Sequence, residues 1–359
     1  MNGKSISNLS NMLDKRSDTL PHTIAETVLD NTNLFLCKNN LYLYKDKVYV
    51  KQTKESMLCE LQSLLPNELL GKCSLKSQKE AIQLVYARSR VIEKLPRYEN
   101  LLNLQNGIYC IDDGSLRDHS PRYLFTYCLN VSYTKNYDIP LFRDFITQTF
   151  KKTAMQQHVQ EVCGYLISDM PPLKEFLLFY GQSNTAKSAL AAIIRYVVGD
   201  ENVNSVNIQN LSHEYYLANM CEKRLNICSD IGSTVINDLS VIKQLTSPDN
   251  TIQVRHIRSE TQLASEKPKL IFASNHYPAL VSDVEDLDAF FNRVHIIPFK
   301  HIVPKEAQVE GLAKKIFDAE SSGIFNWMME GYRRFLSNGK KFTPAKAVNK
   351  AQEKYRSLY

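Results

Sequence analysis

The chain has 359 residues, 43% of them hydrophobic and 23% charged, with a formal net charge of +6. This composition excludes a wholly disordered chain and allows two or three folded domains; the small positive charge is compatible with nucleic acid without arguing for it. No apolar run approaches the roughly 20 residues that a membrane helix needs, and the polar start MNGKSISNLSNMLDKRSD lacks a signal-peptide core, so a cytoplasmic protein with no membrane partner is expected.

Residues 1–30 are polar and lack a clear period. Residues 34–51 alternate apolar and polar side chains around Lys45-Asp46-Lys47, which predicts a β-hairpin. Its Tyr42, Tyr44 and Tyr49 stand near lysines, a pattern shared by base-stacking surfaces and by ordinary exposed hairpins; the ordinary reading is preferred. Residues 55–95 read as two helical pieces separated by Pro66 and Gly71, and 101–133 as short strands with turns at Asn106-Gly107 and Asp113-Gly114. Asp112-Asp113 is read as part of a turn, because no partner acidic motif or histidine follows at a spacing useful for metal-dependent primer synthesis. A helical stretch from Leu141 to Asp169 then leads through Pro171-Pro172 into an apolar strand. The eight cysteines, at 37, 59, 73, 110, 128, 163, 221 and 228, form no CxxC pair, which predicts reduced, buried thiols and no zinc site.

That strand opens the segment FLLFYGQSNTAKS, residues 176–188. Phe176 to Tyr180 suits a strand buried on both faces, and Gly181 allows a sharp turn. Gln182, Ser183, Asn184, Thr185 and Ala186 can then present backbone N–H groups to phosphate oxygens. Leu190, Ile193, Ile194, Val197 and Val198 form the apolar stripe of a following helix, which Gly199 can end. The helix would aim its positive end at the phosphates, with Lys187 reaching the β and γ groups and Ser188 holding magnesium. A Ser/Asn-rich turn that happens to carry lysine would share the composition, but not strand, loop, Lys-Ser and helix in this order. The usual glycine before the lysine is replaced by Ala186, which is tolerable if that residue has helical φ.

Two later apolar strands end in polar groups. KRLNICSD, residues 223–230, places Asp230 where a carboxylate can hold magnesium or polarise water, and only one acid is present there. KLIFASNHYP, residues 269–278, ends its apolar part at Asn275, whose amide can hydrogen-bond a γ-phosphate and a nucleophilic water. FFNRVHIIPF then sets Arg293 before a further strand, with a guanidinium suited to the spread charge of phosphoryl transfer.

In this order the four elements resemble superfamily 3 helicases, most closely the helicase part of phage, plasmid and mobile-island primase-helicases with a poxvirus-type N-terminal region. GQSNTAKS is similar to the GxxNxGKS loop of that family, VIKQLTSPDNTIQVR to the stretch between its acidic strand and its sensor asparagine, NGIYCIDDGSLRDHSP to its upstream signature, and GIFNWMMEGYRRFL to its C-terminal helix. The resemblance implies an AAA+-like α/β core, a parallel sheet flanked by helices, preceded by a smaller mixed α+β domain and followed by C-terminal helices. It also implies a homo-hexamer that couples ATP and Mg²⁺ to movement along single-stranded and forked DNA, with Lys187, Ser188, Asp230 and Asn275 on one side of each site and Arg293 reaching in from the neighbour. A separately encoded primase is a possible partner.

Within residues 251–269 the resemblance implies a hairpin that grips the DNA backbone through Arg255, His256, Arg258 and Lys267, a sequence-independent and salt-sensitive contact. Further on, Leu312, Ile316, Ile324, Trp327, Met328 and Phe335 predict a helix with Trp327 in its core face, and Thr343-Pro344 is expected to cap and open a last helix. The expected division is 1–140 as a collar, oligomerisation or DNA-binding domain, 141–302 as the ATPase core and 303–359 as a helical segment. Family members often continue into a winged-helix domain that reads an origin; with the chain ending at Tyr359, a minimal or truncated helicase is expected. Two other readings use the same loop: a nucleotide-gated DNA-binding initiator or loader without processive unwinding, and a metabolic kinase, which Asn275, Arg293 and the lack of an apparent substrate lid disfavour.

Overall fold

The structure is a computed structural model that describes residues 20–232, 235–236, 238–248, 251–255, 261–264, 266–281 and 284–359. The chain forms two compact units. The smaller takes the described residues up to Arg97 together with His119–Tyr127, and the larger takes Tyr98–Asp118 with the described residues of Cys128–Tyr359.

In the smaller unit, α1 (Leu20–Asn31) precedes β1 (Leu34–Cys37), β2 (Asn40–Lys45) and β3 (Val48–Gln52), followed by α2 (Lys54–Leu64), α3 (Asn67–Leu70), α4 (Leu75–Arg88) and β4 (Val91–Ile92). The sheet runs β3-β2-β1-β4. The single hairpin expected over 34–51 is therefore two hairpins in succession. The first turns at Lys38 and Asn39, whose φ values of 47° and 61° are the left-handed pair that a tight two-residue turn needs. Phe35 gathers Tyr42 and Tyr49 at centroid distances of 4.9 and 4.7 Å, so these rings pack on one another. Behind the sheet, Ile24 and Val28 of α1 meet Met57 and Leu61 of α2 and Ile82 and Val85 of α4.

The larger unit begins with an antiparallel sheet of β5 (Leu101–Leu104), β6 (Gly107–Cys110) and β7 (Leu116–Arg117). Then follow α5 (Pro140–Thr149), α6 (Thr153–Ile167), β8 (Phe176–Tyr180), α7 (Lys187–Val198), β9 (Val203–Asn204), α8 (Glu214–Cys221), β10 (Leu225–Cys228), β11 (Val235–Ile236) and α9 (Ser240–Thr246). The chain continues through β12 (Ile252–Val254), β13 (Gln262–Ala264), β14 (Lys269–Ser274), β15 (Ala279–Leu280), α10 (Val284–Phe291), β16 (Val294–Pro298), α11 (Leu312–Ser337) and α12 (Lys346–Arg356). The central sheet has the order β16-β8-β14-β10-β9, and every neighbouring pair in it is parallel. Its strands are almost continuously apolar and buried, as parallel strands covered on both faces must be.

The compact units do not follow the bounds at 140 and 302 expected from sequence. Tyr109 of β6 packs edge-on against Phe325 of α11, and Arg333 of α11 donates to the carbonyl of Ile111 at 3.1 Å, which binds the antiparallel sheet and the C-terminal helices into one unit. The helix expected over 141–169 is two, parted at Phe150, where the backbone is extended. Thr343 does not cap the last helix. Its N–H and hydroxyl both donate to the fully buried carboxylate of Glu161 on α6, at 2.5 and 2.6 Å, and Arg334 donates to the same carboxylate at 2.6 Å. A buried carboxylate left without donors would be far more costly than an uncapped helix end, so α12 starts at Lys346 with no side-chain cap. Among the cysteines, Cys37, Cys110, Cys163, Cys221 and Cys228 are buried. No described helix is long and apolar enough to cross a membrane.

A histidine pair lies under the edge of the central sheet. His158 Nδ1 meets the Thr343 carbonyl at 2.7 Å, His158 Nε2 meets His295 Nε2 at 2.8 Å, and His295 Nδ1 meets Glu175 at 3.0 Å. Burial first, and His295 second, push the His158 pKa from 6.5 down to about 4, against the opposite pull of the Thr343 carbonyl, Glu161 and Glu175. The unfolded chain therefore takes up a proton near pH 6.5 that the folded chain refuses until about pH 4, so this contribution to stability is present above 6.5 and lost as pH falls toward 4. Urea unfolding at pH 7 and pH 5 is expected to show a loss of about 2 kcal/mol from this group. In His158→Gln the difference between the two pH values should shrink by that amount; an unchanged difference would assign the acid sensitivity to other groups.

Candidate functional site

Strand β8 delivers its loop to the carboxyl edge of the sheet. At that point the chain passes so close to the end of β16 that a Cβ at Gly181 would lie 2.1 Å from the Phe299 carbonyl oxygen. Close approach of two backbones, more than sharpness of turn, requires glycine here. Gln182, Ser183 and Asn184 are exposed, whereas Thr185 is buried and its hydroxyl donates to the Gln182 carbonyl at 2.7 Å. The Val303 N–H donates to the Asn184 carbonyl at 2.8 Å, tying the loop to the segment after β16.

Ala186 corrects the reading of this loop. Its φ of 68° and ψ of 10° are left-handed, not helical. The position thus has the conformation for which glycine is suited, and alanine holds it against a steric cost of roughly 1–2 kcal/mol. Immediately afterwards α7 begins; Leu190, Ile193, Ile194, Val197 and Val198 are buried, and Gly199 follows its last turn with φ 89°.

Lys187 is only 6% exposed, and its ammonium is fully engaged. Nζ donates to the carbonyls of Gly181 and Gln182, both at 2.6 Å, and to Asn275 Oδ1 at 2.9 Å. Burial lowers its pKa, and the nearby Asp230 acts in the opposite direction. Asn275 stands just past β14 and also donates through Nδ2 to the Ser183 hydroxyl at 3.2 Å. Asp230 stands just past β10, exposed, with Oδ1 accepting from the Gly232 N–H at 2.8 Å. Ser188 is exposed on the first turn of α7. These groups line one cleft of ≈ 390 Å³, formed by residues 183–189 with Ser229, Asp230, Ser274 and Asn275.

Chemically, the cleft combines a helix N-terminus, one ammonium, one carboxylate, one amide and several hydroxyls. The helix end and Lys187 suit a phosphate chain. The Ser188 hydroxyl and the Asp230 carboxylate are oxygen donors of the kind magnesium takes, with remaining positions left to phosphate and water.

Arg293, Arg255 and Lys267, also singled out in the sequence, are not among the residues that line this cleft. Arg293 precedes β16 at the end where Val294 pairs with Phe176, so the length of β8, about 16 Å, separates it from the loop. Its Nη1 donates to the Ala289 carbonyl at 2.7 Å, and its buried Nε has no hydrogen-bond partner among the described residues. Residues 252–254 and 262–264 do pair antiparallel as a hairpin. Arg255 is at its exposed side, 3.9 Å from Glu214 with both side chains 46% exposed. Lys267 is not on that surface. It is 5% exposed, and Nζ donates to the Gln244 carbonyl at 3.0 Å and to that of Ser247, closing the C-terminal end of α9. His256 and Arg258 lie outside the described residues. Two neighbours of the hairpin escaped the sequence reading: Tyr215 and Tyr216, 44% and 48% exposed on α8, which packs on β12. The available signal was an adjacent aromatic pair ahead of the buried Leu217 and Ala218.

Substituting the loop should separate its two backbone constraints. Ala186→Gly is expected to raise stability by about 1 kcal/mol in urea unfolding, because relief of the left-handed strain exceeds the extra entropy of glycine. Gly181→Ala should lower it by roughly 1–3 kcal/mol through the clash with Phe299. The opposite sign for either would show that the loop relaxes away from this geometry.

Comparison with known proteins adds two regions of similarity. Residues 51–151 match the family described as D5 N terminal like, and residues 179–293, which include the loop, Asp230, Asn275 and Arg293, match a family described as of unknown function. The chain is also similar to the protein named Putative helicase of Acanthamoeba polyphaga mimivirus, 22% identical over 288 residues. That similarity covers 73% of this chain and 30% of the relative, so the chain spans less than a third of its length. Among solved structures, an apo A form of the NrS-1 C-terminal region superposes with a TM-score of 0.61 at 11% identity, covering 92% of this chain and 74% of that one. A further apo structure of the same region gives 0.55 at 12% identity, covering 92% and 76%. At such identities the structural likeness is one of fold. Together the matches support a relation to D5-type helicase and primase proteins.

Proposed function

We propose that this chain is an ATP-dependent DNA helicase of superfamily 3 type with an AAA+-like core, working as a hexameric ring in the replication of a phage, plasmid or mobile element. The observation that carries this reading is the gathering of Lys187, Ser188, Asp230 and Asn275 around one cleft while Arg293 stands at the far end of the strands. A group in that place cannot serve its own cleft. It can serve a neighbour's.

In this reading, ATP lays its β and γ phosphates against the loop N–H groups, and Lys187 exchanges the Gly181 and Gln182 carbonyls for phosphate oxygens. Magnesium, held by Ser188 and Asp230, supplies charge neutralisation of the phosphates. The departure of Lys187 releases Asn275 Oδ1, which can then accept a hydrogen bond from the attacking water. Arg293 of the adjacent subunit stabilises the charge that develops on the transferred group. The hairpin that Arg255 adjoins follows the DNA backbone, and Tyr215 and Tyr216 beside it offer faces for unstacked bases.

The test is ATP hydrolysis and particle size with and without single-stranded DNA. Wild type should form rings and hydrolyse faster with DNA, while Lys187→Ala and Arg293→Ala should each lose activity, the latter by roughly 10³-fold or more. Mixing the two inactive proteins should recover part of the rate, since each supplies what the other's interface lacks. Hydrolysis indifferent to DNA, absence of assembly, or no recovery on mixing would overturn the reading.

A further inference from the structure

Helix α12 touches both segments on which the proposed reaction depends. On the Asn275 side, the ring of Tyr277 sits inside a stack of three. Tyr180, the last residue of β8, lies 3.9 Å away at 11°, and Tyr355 of α12 lies 4.5 Å away at 10°. The fully buried Tyr355 donates its hydroxyl to the Pro278 carbonyl at 2.6 Å, and Tyr277 donates to the Ala351 carbonyl at 3.3 Å. The Leu280 N–H donates to the Tyr359 hydroxyl at 2.6 Å. The chain from 277 to 280, which begins two residues after Asn275, is thus held along its length by the C-terminal segment.

On the Arg293 side the same helix makes a second set of contacts. Gln352 Nε2 donates to the Val294 carbonyl at 2.9 Å, Arg356 pairs with Asp288, and the Arg356 guanidinium stands 5.8 Å over the Phe291 ring. Phe291 and Phe290 meet Tyr355 edge-on at 5.2 and 6.0 Å. The Asp288–Val294 span bears Arg293, whose guanidinium rests on Ala289 within it.

We propose that α12 is the positioning element of the reaction: Tyr355 sets the loop that carries Asn275, and Gln352 sets the start of β16, where Arg293 projects. This rests on the ATPase reading above. It adds that a helix outside the cleft, touching neither phosphate nor water, decides where two reacting-side groups stand. The two residues act on different sites. Tyr355 serves the cleft of its own subunit, and Gln352 serves the cleft to which Arg293 is presented.

Tyr355→Phe keeps the stacked ring and removes the bond to Pro278, and Gln352→Ala removes the bond to Val294 together with the half-buried side chain that makes it; if one variant fails to fold, the other carries the test. Losing one such hydrogen bond should lower kcat for ATP about 10-fold, with KM within about twofold and melting little changed. Mixing with Lys187→Ala subunits, whose own Arg293 is correctly placed, should then restore activity to Gln352→Ala and not to Tyr355→Phe. If wild-type hydrolysis proves independent of Lys187, the site reading fails and this inference falls with it. If hydrolysis requires Lys187 but both variants keep wild-type kcat, or if the two lose activity only in step with melting and respond alike to mixing, the positioning role is overturned while the site reading stands.

Discussion

The insertion of β14 between β8 and β10, with all three strands parallel, is the constraint on which the rest of the molecule depends. Parallel strands deliver their carboxyl ends to one edge, and the turns that leave that edge carry the polar groups. Because β14 neighbours β8 directly, Asn275 reaches the Lys187 ammonium, and because β10 is one strand further, Asp230 faces the same cleft from its other side. The register pairs Ser274 with Tyr180 and Cys228 with Phe272, so the polar ends emerge in step. The same parallel arrangement sends the amino end of β16, and Arg293 with it, to the opposite side.

Around this sheet, buried charges serve largely to finish helices from a distance. Lys269 points into the end of α6, donating to the carbonyls of Tyr165 and Ser168 at 2.5 and 2.8 Å. Lys267 does the same for α9. Glu320, at a kink in α11, accepts from the N–H groups of Leu141 and Phe142 at 2.8 Å each and so closes the start of α5. Each case places a full charge against the helix-end partial charge of opposite sign, in surroundings where water cannot substitute. Such ties explain how irregular connections and helix ends stay fixed around the sheet.

Much of this was legible in sequence where the signal is local. FLLFY, LNIC and KLIFAS announce buried strands by composition, and the polar residue that ends each run marks the edge of the sheet. Strand order was not legible from residue spacing. Nor was the fate of Lys267, because the carbonyls that claim it belong to Gln244 and Ser247, more than a helical turn and a hairpin earlier in the chain. Thr343 read as a helix cap because threonine before proline usually is one, whereas the group that captures it, Glu161, is 182 residues away. Ala186 failed differently: its residue type argued for helical φ, and the demands of the loop overrode that preference.

The resting arrangement of Lys187 bears on how strongly a ligand can be held. Its three donors are already satisfied, two by the loop that any phosphate would have to enter. An anion arriving there trades one set of hydrogen bonds for another and gains only the difference, so the lysine contributes modestly to affinity while contributing fully to the choice of what fits. The loop carbonyls that such an anion displaces would have to find water or rotate away. In the proposed reaction, letting go of a phosphate would be eased by the return of the lysine to these carbonyls, which recovers part of what release forfeits.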